Sequence, residues 1–411
     1  MAYDDAKAPA AMIWALGATQ ILGYGTLYYS FPILAPDMAA EFGVPEYWAF
    51  AALSAALFLG SLLAPTAGRL ADRHGAGVVM TAGSAAAAAA LAACALAPER
   101  WSFAAALVAM ELASCFVLYA TAFVAIVQIG PAGASRSITH LTLIAGFAST
   151  LFWPLTSFLH SRLDWREVYL IFAAVNLLAC LPIHAWLARF ARRRSARLAG
   201  AGSATGAAET EDPAPDPARI RLVFLLMLAG FAITGFVLSA VLIHMVPLIT
   251  GLGLGTAGVV VSTFFGPSQV ASRLVNMVFG GRLRQTVLAV IAAGFLTAGL
   301  LLLVGTAPSA AGIAAFVILF GLGSGLLSIV GGTLPLEVFG RRGYGARVGW
   351  TSAARQFTSA FAPFAFSLML AGTSPTLALS ALALAGLAGV AVFAAIGILA
   401  RPAVTTPDRP G

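Results

Sequence analysis

Long apolar segments recur along the whole chain, and each is long enough to cross a lipid bilayer as a helix. About 20 apolar residues in helical form span the roughly 30 Å of hydrocarbon. The twelve segments that fit lie at residues 12–36, 48–67, 77–97, 102–128, 137–159, 167–189, 221–249, 257–279, 286–305, 310–338, 348–371 and 376–400. A transmembrane barrel would show alternating strands of about ten residues, which the sequence lacks. We therefore predict an all-α membrane protein with twelve transmembrane helices.

Charge is scarce, which excludes an ordinary soluble domain. Of the 411 residues, 9% are charged and 60% are apolar, whereas about a quarter of the residues of a soluble globular chain are charged. Cys94, Cys115 and Cys180 all fall within predicted spans and show no metal-ligand spacing. We predict no metal site and no cofactor. No cleavable signal precedes the first span, so that span is expected to direct insertion.

The basic residues are distributed by topology. Of the 23 Lys and Arg residues, all but Arg100, Arg162, Arg166, Arg273 and Arg355 lie on one side of the predicted spans. This asymmetry matches the excess of positive charge in cytoplasmic loops. We expect a multi-pass protein of a bacterial-type inner (plasma) membrane with both termini in the cytoplasm. The net charge of +7 then reflects orientation, and no nucleic-acid partner is predicted.

A long polar segment divides the chain into two halves of six spans. The predicted organisation is an N-terminal six-helix bundle (1–190), a flexible cytoplasmic linker (191–220), a C-terminal six-helix bundle (221–402) and a cytoplasmic tail (403–411). The halves also share weak internal similarity, since GRL at 68–70 and again at 281–283 ends the second and the eighth span. Such symmetry is typical of transporters with a substrate site between two halves near the midplane.

The loop between spans two and three carries a recognisable motif. AGRLADRHGAG (67–77) resembles the signature G-x-L-A-D-R-x-G-[RK]-[RK] of the major facilitator superfamily, and its matching residues are Gly68, Leu70, Ala71, Asp72, Arg73 and Gly75. Ala76 and Gly77 replace the usual basic pair. A tight cytoplasmic turn with solvated charges would explain the glycines, but not the whole string at this place.

The resemblance implies a two-bundle transporter that works by alternating access, with the motif residues acting as a conformational gate. Asp72 is expected either at a helix N-terminus or paired with an Arg of the other half. In the charged loop PLEVFGRRGYGAR (335–347), Glu337 is expected to pair with Arg342 or Arg347 as part of the same gate.

The first span points to a branch of the family. GYGTLYYSFPILAPDMAAEFGVPE (23–46) resembles the first helix of the monocarboxylate-transporter and oxalate–formate-antiporter branch. Along this span Gln20, Tyr24, Tyr28 and Phe31 are predicted to form a stripe, which suits the wall of a substrate cavity. Tight helix packing through the glycines of the span is the competing interpretation.

Span eight contains polar residues at helical spacing. They are Ser262, Gly266, Gln269, Arg273, Asn276 and Gly280, spaced four, three, four, three and four residues apart, which places them on one helical face. Span eleven has a similar cluster, formed by Ser352, Arg355, Gln356 and Ser359. A lipid-facing Arg is strongly disfavoured, so both faces are predicted to line a protein cavity. Span five adds Ser149 on a comparable face.

These two arginines lack sufficient negative charge within the membrane. Glu111 is the one acidic residue well inside a span, so one positive charge stays uncompensated, and an unpaired buried charge is costly. An anionic substrate would supply the partner, because Arg binds carboxylates through two parallel hydrogen bonds. The alternatives are a structural Arg273 paired with Glu111 or with helix carbonyls, and an Arg355 that forms a gate with Glu337.

The resemblance supports the anion hypothesis, since basic residues on helices eight and eleven of the oxalate–formate antiporter are understood to hold the dicarboxylate. Monocarboxylate transporters carry an Asp four residues before the helix-eight Arg, where this chain has Gln269. That difference leaves proton coupling open, with Glu111 as the candidate proton carrier.

The predicted function is secondary transport of a small organic anion, a mono- or dicarboxylate, by a monomer in the lipid bilayer. No Walker-type phosphate loop and no nucleophile–base pair is present, so neither ATP use nor enzyme activity is expected. Proton-coupled efflux of a drug, metabolite or metalloid is the alternative. A membrane sensor that moves nothing is a third possibility, disfavoured because no soluble domain is appended.

Overall fold

The computed structural model describes residues 7–201, 216–249, 257–280 and 283–400. These residues are helical apart from short turns and one isolated bridge between Lys7 and Pro131. The helices of the first half are α1 (Ala10–Tyr24), α2 (Phe31–Glu41), α3 (Glu46–His74), α4 (Ala76–Ala95), α5 (Arg100–Val117), α6 (Tyr119–Ile129), α7 (Ala134–Ala145), α8 (Ala148–His160), α9 (Trp165–Val175) and α10 (Leu181–Ala201).

The second half contains longer and less interrupted helices. They are α11 (Pro217–Ile249), α12 (Ala257–Ser262), α13 (Phe265–Phe279), α14 (Gln285–Thr306), α15 (Ala310–Phe339), α16 (Tyr344–Gly372) and α17 (Pro375–Leu399). The helices pair off into spans where no loop separates them: α1 with α2, α5 with α6, α7 with α8, α9 with α10, and α12 with α13. The prediction of twelve helical spans is confirmed.

Spans one and six each contain a π-helical turn, at Gly25–Tyr29 and Asn176–Cys180. Nine helical stretches within the described ranges are individually long and apolar enough to cross a membrane, and spans one, eight and eleven are not among them. Span eight contains the polar stripe with Arg273, and span eleven contains the polar stretch around Arg355. The three exceptions therefore include both spans that carry an intramembrane arginine.

Local sequence signals explain where several helices begin. Asp164 accepts a hydrogen bond from Glu167 N, and Ser309 and Ser374 cap α15 and α17 in the same way, which satisfies backbone N–H groups that a first turn leaves free. Gly75 joins α3 to α4 with φ of +87°, a backbone conformation that residues with a side chain rarely adopt.

Helices of the same half pack mainly on one another around two apolar cores per half. In the first half α4 packs on α5, α9 and α10, and in the second half α14 packs on α15 and α17. Contact between the halves is made chiefly by α3 with α16 and by α7 with α13 and α15. The two-bundle fold predicted from the sequence is confirmed.

The predicted domain boundaries are only partly covered by the described residues. Helix α10 continues to Ala201 and α11 begins at Pro217, so both ends of the predicted linker 191–220 are helical. Residues 202–215, the tail 403–411 and most of the second GRL repeat lie outside the described residues. The division into domains stays a prediction.

Candidate functional site

Arg273 lies on α13 and is buried, with 6% of its surface exposed. Its Nε donates to Ser328 Oγ at 3.0 Å and to Gly325 O at 3.4 Å, both on α15. Its Nη1 donates to Thr142 O at 3.2 Å, on α7 of the other half. Every one of these acceptors is neutral, so Arg273 links the two halves while its charge has no carboxylate partner among the described residues.

Small residues create the space that this guanidinium occupies. A methyl group at Gly146, directly after α7, would overlap Arg273 Nη1. On α15, a methyl group at Gly325 would overlap Ser272 Oγ and Gln269 O, so α13 packs backbone to backbone against α15. Gln269 Nε2 donates to Ser324 Oγ at 2.8 Å, which orients this predicted site residue towards α15.

Arg355 lies on α16 in different surroundings. It is exposed, and its guanidinium makes no hydrogen bond or ion pair within the part of the chain that the structure covers. Its aliphatic stem packs over Gly235 of α11, where a methyl group would lie 2.7 Å from Arg355 Cγ. Ser359 Oγ donates to Gly235 O at 3.1 Å, and Ser239 Oγ donates to Ser359 O at 2.8 Å. Hydrogen bonds between α11 and α16 thus hold α16 one turn after Arg355, and the charge of Arg355 stays free.

Next to Arg355 on α16, Gln356 is half-buried, and its side-chain oxygen has no hydrogen-bond partner in the structure. Another face of α16 is aromatic. Its Phe357 and Phe361 contact Phe58 of α3 at ring-centroid distances of 5.3 and 5.5 Å. The polar and the aromatic face of α16 are therefore distinct.

Four tyrosines and a tryptophan of the first half form an aromatic cluster. Ring centroids are 4.8 Å apart for Tyr24 and Tyr119, 5.4 Å for Tyr28 and Tyr29, and 6.2 Å for Tyr29 and Trp153. The charge of Arg355 acts on the hydroxyls of Tyr24 and Tyr28, and the charge of Arg273 acts on those of Tyr29 and Tyr119. The structure therefore brings the phenol groups of the first half within electrostatic reach of both arginines.

The π-helical turn changes which residues of span one face this cluster. An uninterrupted α-helix would align Gln20, Tyr24, Tyr28 and Phe31, but the wider turn at Gly25–Tyr29 shifts the face by about one residue. Tyr29 joins the cluster, whereas Phe31 is fully buried and packs against Phe50 at 5.9 Å. Including Phe31 in the stripe was wrong, and Tyr29 was missed.

Gln20 is buried beside this cluster. Its Nε2 donates to Val117 O at 2.8 Å, where α5 ends, and its Oε1 has no hydrogen-bond partner in the structure. The amide therefore retains an unused acceptor. Ser149 is half-buried on α8. Asn276 is separate from the others, because its side chain folds against Gly280 at the end of α13.

Glu111 is buried on α5, with 4% of its surface exposed. Its Oε1 has no hydrogen-bond partner in the structure, and its Oε2 lies 3.4 Å from Ser114 Oγ. The predicted alternative of an ion pair with Arg273 is not formed between these two described residues. Glu111 nevertheless acts electrostatically on Tyr28, so it belongs to the same polar region.

Asp72 connects the halves at the end of α3. Its two carboxylate oxygens accept hydrogen bonds of 2.9 Å each from Gly345 N and Ala346 N, in the first turn of α16. The N-terminus of a helix attracts negative charge. Of the two expected partners of Asp72, the structure therefore has the helix N-terminus. A methyl group at Gly68 would overlap Gly345 O, so this contact is built from backbone. Arg73 is exposed beside it.

The expected pairing of Glu337 with Arg342 or Arg347 is wrong for this structure. Glu337 accepts hydrogen bonds from Gln285 N at 2.6 Å and Thr286 N at 3.4 Å, so it caps the start of α14. Arg347 Nη1 instead donates to Phe339 O at 3.1 Å and to Arg342 O at 2.7 Å. A free helix N-terminus competes for a carboxylate as effectively as an exposed arginine does, and sequence spacing does not distinguish the two.

A buried polar network was also missed. His184 on α10 is 1% exposed and lies 2.7 Å from Ser84 Oγ through Nδ1 and 3.0 Å from Thr19 Oγ1 through Nε2. It joins spans one, three and six within the first half. Each of these residues is unremarkable in sequence, because the spacing within one span carries no information on partners in other spans.

The chain resembles known proteins both in its sequence profile and in its fold. The sequence profile of the Major Facilitator Superfamily matches residues 16–363. The human organic anion transporter MFSD10 (TETRAN) superposes with a TM-score of 0.67 at 15% identity, covering 95% of this chain and 98% of that one. The proton:xylose symporter XylE, bound to 6-bromo-6-deoxy-D-glucose, superposes with a TM-score of 0.70 at 13% identity, covering 93% and 95%. No curated protein sequence matches the chain.

Proposed function

The chain belongs to the major facilitator superfamily and is a multi-pass membrane transporter of a small molecule, and from that premise we propose that it carries a small organic anion, a mono- or dicarboxylate. Transport would proceed by alternating access, with the anion held between the two halves by Arg273 and Arg355. We propose further that it belongs to the monocarboxylate-transporter and oxalate–formate-antiporter branch, which its first span resembles.

The observation that carries the proposal is the unpaired charge of Arg355. A guanidinium within a membrane span is costly unless it is paired, and this one has no ionic or hydrogen-bonded partner among the described residues. Its stem is fixed against Gly235, so the charged group is held in place. A carboxylate that forms two hydrogen bonds to it would remove the electrostatic cost.

Arg273 would contribute in a different way. Its bond to Thr142 O crosses between the halves, so any separation of α7 from α13 frees one donor of the guanidinium. A substrate carboxylate is a stronger acceptor than a backbone carbonyl and would replace Thr142 in that state. Substrate binding would therefore be coupled to the relative movement of the halves.

The aromatic cluster would form the opposite wall of the site. Tyrosine hydroxyls donate hydrogen bonds to anions while their rings exclude water, and the hydroxyls of Tyr24 and Tyr28 are already under the influence of Arg355. The unused acceptors of Gln20 and Gln356 suit substrate hydroxyl groups.

The two structural neighbours do not decide the substrate. One is described as an organic anion transporter and the other as a xylose symporter, at 15% and 13% identity. Likeness at this level shows the fold alone, so the substrate class rests on the charges of this chain.

Thermal unfolding of the purified protein against a panel of small carboxylates tests the proposal. A ligand that binds only the folded state raises the unfolding midpoint. At least one carboxylate should raise the midpoint of the wild type, raise that of Arg355→Lys by less because Lys keeps the charge without the two-donor geometry, and leave that of Arg355→Gln unchanged. Arg69→Gln, on the exposed part of α3, is the matched control and should respond like the wild type. A carboxylate that stabilises Arg355→Gln as strongly as the wild type would overturn the proposal.

A second candidate, proton-coupled export of a drug, metabolite or metalloid, is favoured by one observation. The carboxyl group of Glu111 is buried with an unpartnered oxygen, and an unpaired buried carboxylate is costly, so Glu111 is the candidate proton carrier. Flux of acid into proteoliposomes during transport should disappear in Glu111→Gln. If proton movement accompanies transport in that variant at the wild-type rate, Glu111 has no coupling role.

Orientation and assembly belong to the same proposal. The excess of basic residues at the Asp72 end supports cytoplasmic termini in a bacterial-type inner membrane, with the chain working as a monomer. A reporter active only in the cytoplasm, fused after Leu399, tests the orientation and should be active.

A further inference from the structure

A pocket of 510 Å³ lies in the second half, away from the residues proposed to hold the substrate. It is bounded by the first turns of α11, the end of α15 and the first turns of α16. Arg221 and Arg347 line it together with the apolar side chains of Ile220, Phe224 and Trp350. None of the arginines or tyrosines of the candidate substrate site lines it.

The pocket is positively charged, because Arg221 and Arg347 line it and no acidic residue is among the described residues that do. Arg221 is exposed, and its side chain makes no hydrogen bond or ion pair within the described ranges. Arg347 is held in place, with Nη1 bonded to Phe339 O and Arg342 O and the guanidinium 4.8 Å from the centre of the Phe339 ring. Asp72, the acidic group that acts on Arg347, is already occupied by the N–H groups of α16.

The apolar walls of the pocket are open on the outside of the helix bundle. Trp350 is 46% exposed and Ile220 is 39% exposed. Arg221 comes directly before the apolar run LVFLLMLAGF of α11, which places the pocket at the boundary between hydrocarbon and headgroups. Tryptophan is enriched at that depth. A soluble anion would use the two arginines and leave these walls uncovered.

We propose that this pocket binds the headgroup of an anionic phospholipid, with the phosphate between Arg221 and Arg347 and the first methylenes of the acyl chains against Ile220, Phe224 and Trp350. Basic pockets between transmembrane helices are suited to acidic lipid headgroups. The ligand class follows from the combination of charge, apolar walls and depth, and is independent of the transported substrate.

Such a lipid would act on the contact between the halves. Gly343 and Ala346 line the pocket, and Ala346 N donates to Asp72. A headgroup that orders this turn would favour the conformation in which Asp72 is bound, because a ligand stabilises the state to which it binds best. Anionic lipid would thus strengthen the closed contact between α3 and α16.

The test measures unfolding midpoints in detergent with added phosphatidylglycerol, phosphatidylcholine or inorganic phosphate, with native mass spectrometry to count retained lipids. Of the three additives, only phosphatidylglycerol should raise the unfolding midpoint of the wild type. Arg221→Gln should need about fivefold more phosphatidylglycerol for the same rise. Arg341→Gln, an exposed arginine at the same end that does not line the pocket, should behave like the wild type, and so should Arg221→Lys.

Each other result overturns the proposal. An equal rise with inorganic phosphate would identify a site for a soluble anion. An equal rise with phosphatidylcholine would show that charge is not recognised. Equal losses in Arg221→Gln and Arg341→Gln would indicate diffuse attraction to a basic surface, and no loss in either would show that Arg221 does not bind lipid. Arg221→Lys is the control for folding. It replaces the same side chain but keeps the positive charge, so it should retain the rise in midpoint.

Discussion

Arg273 and Arg355 present the same guanidinium on two helices of the second half, but their surroundings differ in almost every respect. Arg273 is buried and donates to acceptors from both halves. Arg355 is exposed, and only its stem and backbone are held. One arginine therefore contributes to the structure of this conformation, and the other is available to a ligand. A transport site that alternates between two conformations can use both arginines. The hydrogen bonds of Arg273 change when the halves move apart, and Arg355 is free to bind the ligand beforehand.

The largest expected effect is that of Arg273→Gln. Loss of the charge-assisted hydrogen bonds to Ser328 and Thr142 should lower the free energy of unfolding by about 3 kcal/mol, and carboxylate binding should be lost as well. Thermal and denaturant unfolding in detergent measure the first effect. An unchanged midpoint would mean that Arg273 is as free as Arg355, which would remove the distinction between the two.

Two glycines test how tightly each arginine is seated. A methyl group at Gly235 would lie 3.0 Å from the backbone oxygen of Arg355, whereas at Gly146 it would overlap Arg273 Nη1, the end of a long side chain, with the backbone oxygens of Leu143 and Thr142 at 3.1 and 3.3 Å. Gly235→Ala should destabilise the protein by about 2 kcal/mol through overpacking, and Gly146→Ala by less. If Gly146→Ala is the more damaging of the two in unfolding experiments, the guanidinium of Arg273 cannot shift to make room for the methyl group.

Asp72→Asn weakens the contact between the end of α3 and the first turn of α16. Asn can accept a bond from only one of the two N–H groups of Gly345 and Ala346, and it loses the attraction to the helix N-terminus, together about 1 kcal/mol. A thiol reagent should label a cysteine introduced between α3 and α16 faster in the Asp72→Asn variant than in the protein that retains Asp72. Unchanged labelling would show that the backbone contact at Gly68 closes this end without Asp72.

Ser328→Ala removes one neutral partner of Arg273 and retains the link to Thr142. We expect a loss of 1 kcal/mol or less, about the net value of one hydrogen bond. The unfolding midpoint should fall between those of the wild type and Arg273→Gln. A loss as large as that of Arg273→Gln would mean that Ser328, and not the link between the halves, positions the guanidinium.

Arg355→Gln should have the smallest effect on stability, within about 0.5 kcal/mol of the wild type, since the side chain of Arg355 makes no hydrogen bond or ion pair that the substitution would remove. Denaturant unfolding without ligand measures this directly. A destabilisation comparable to that of Arg273→Gln would show that Arg355 has a structural role in the described conformation.

The fold could be predicted from the sequence largely because membrane spans are marked by long apolar runs that need no knowledge of their neighbours. The predicted span 137–159 corresponds to α7 and α8, and the predicted span 376–400 to α17. The motif around Asp72 was recognisable because a tight turn between two helices confines its residues to one short string.

The site was less predictable, because its contacts join distant spans. Arg273, Arg355 and Glu111 stood out, since charge inside a span is rare and costly. The acceptors of Arg273 are ordinary Ser, Gly and Thr residues on other helices, and no spacing within α13 indicates them. The π-helical turn at Gly25–Tyr29 changes the helical period locally, so a stripe counted at 3.6 residues per turn includes Phe31 wrongly and omits Tyr29.

Uptake of a small dicarboxylate and of D-xylose into proteoliposomes tests the central claim most directly, with the wild type measured beside Arg355→Gln and Arg69→Gln. The account predicts saturable dicarboxylate uptake by the wild type and Arg69→Gln, none by Arg355→Gln, and no uptake of xylose by any of them. Uptake of xylose without dicarboxylate uptake, or an Arg355→Gln variant that moves the dicarboxylate at the wild-type rate, would contradict it.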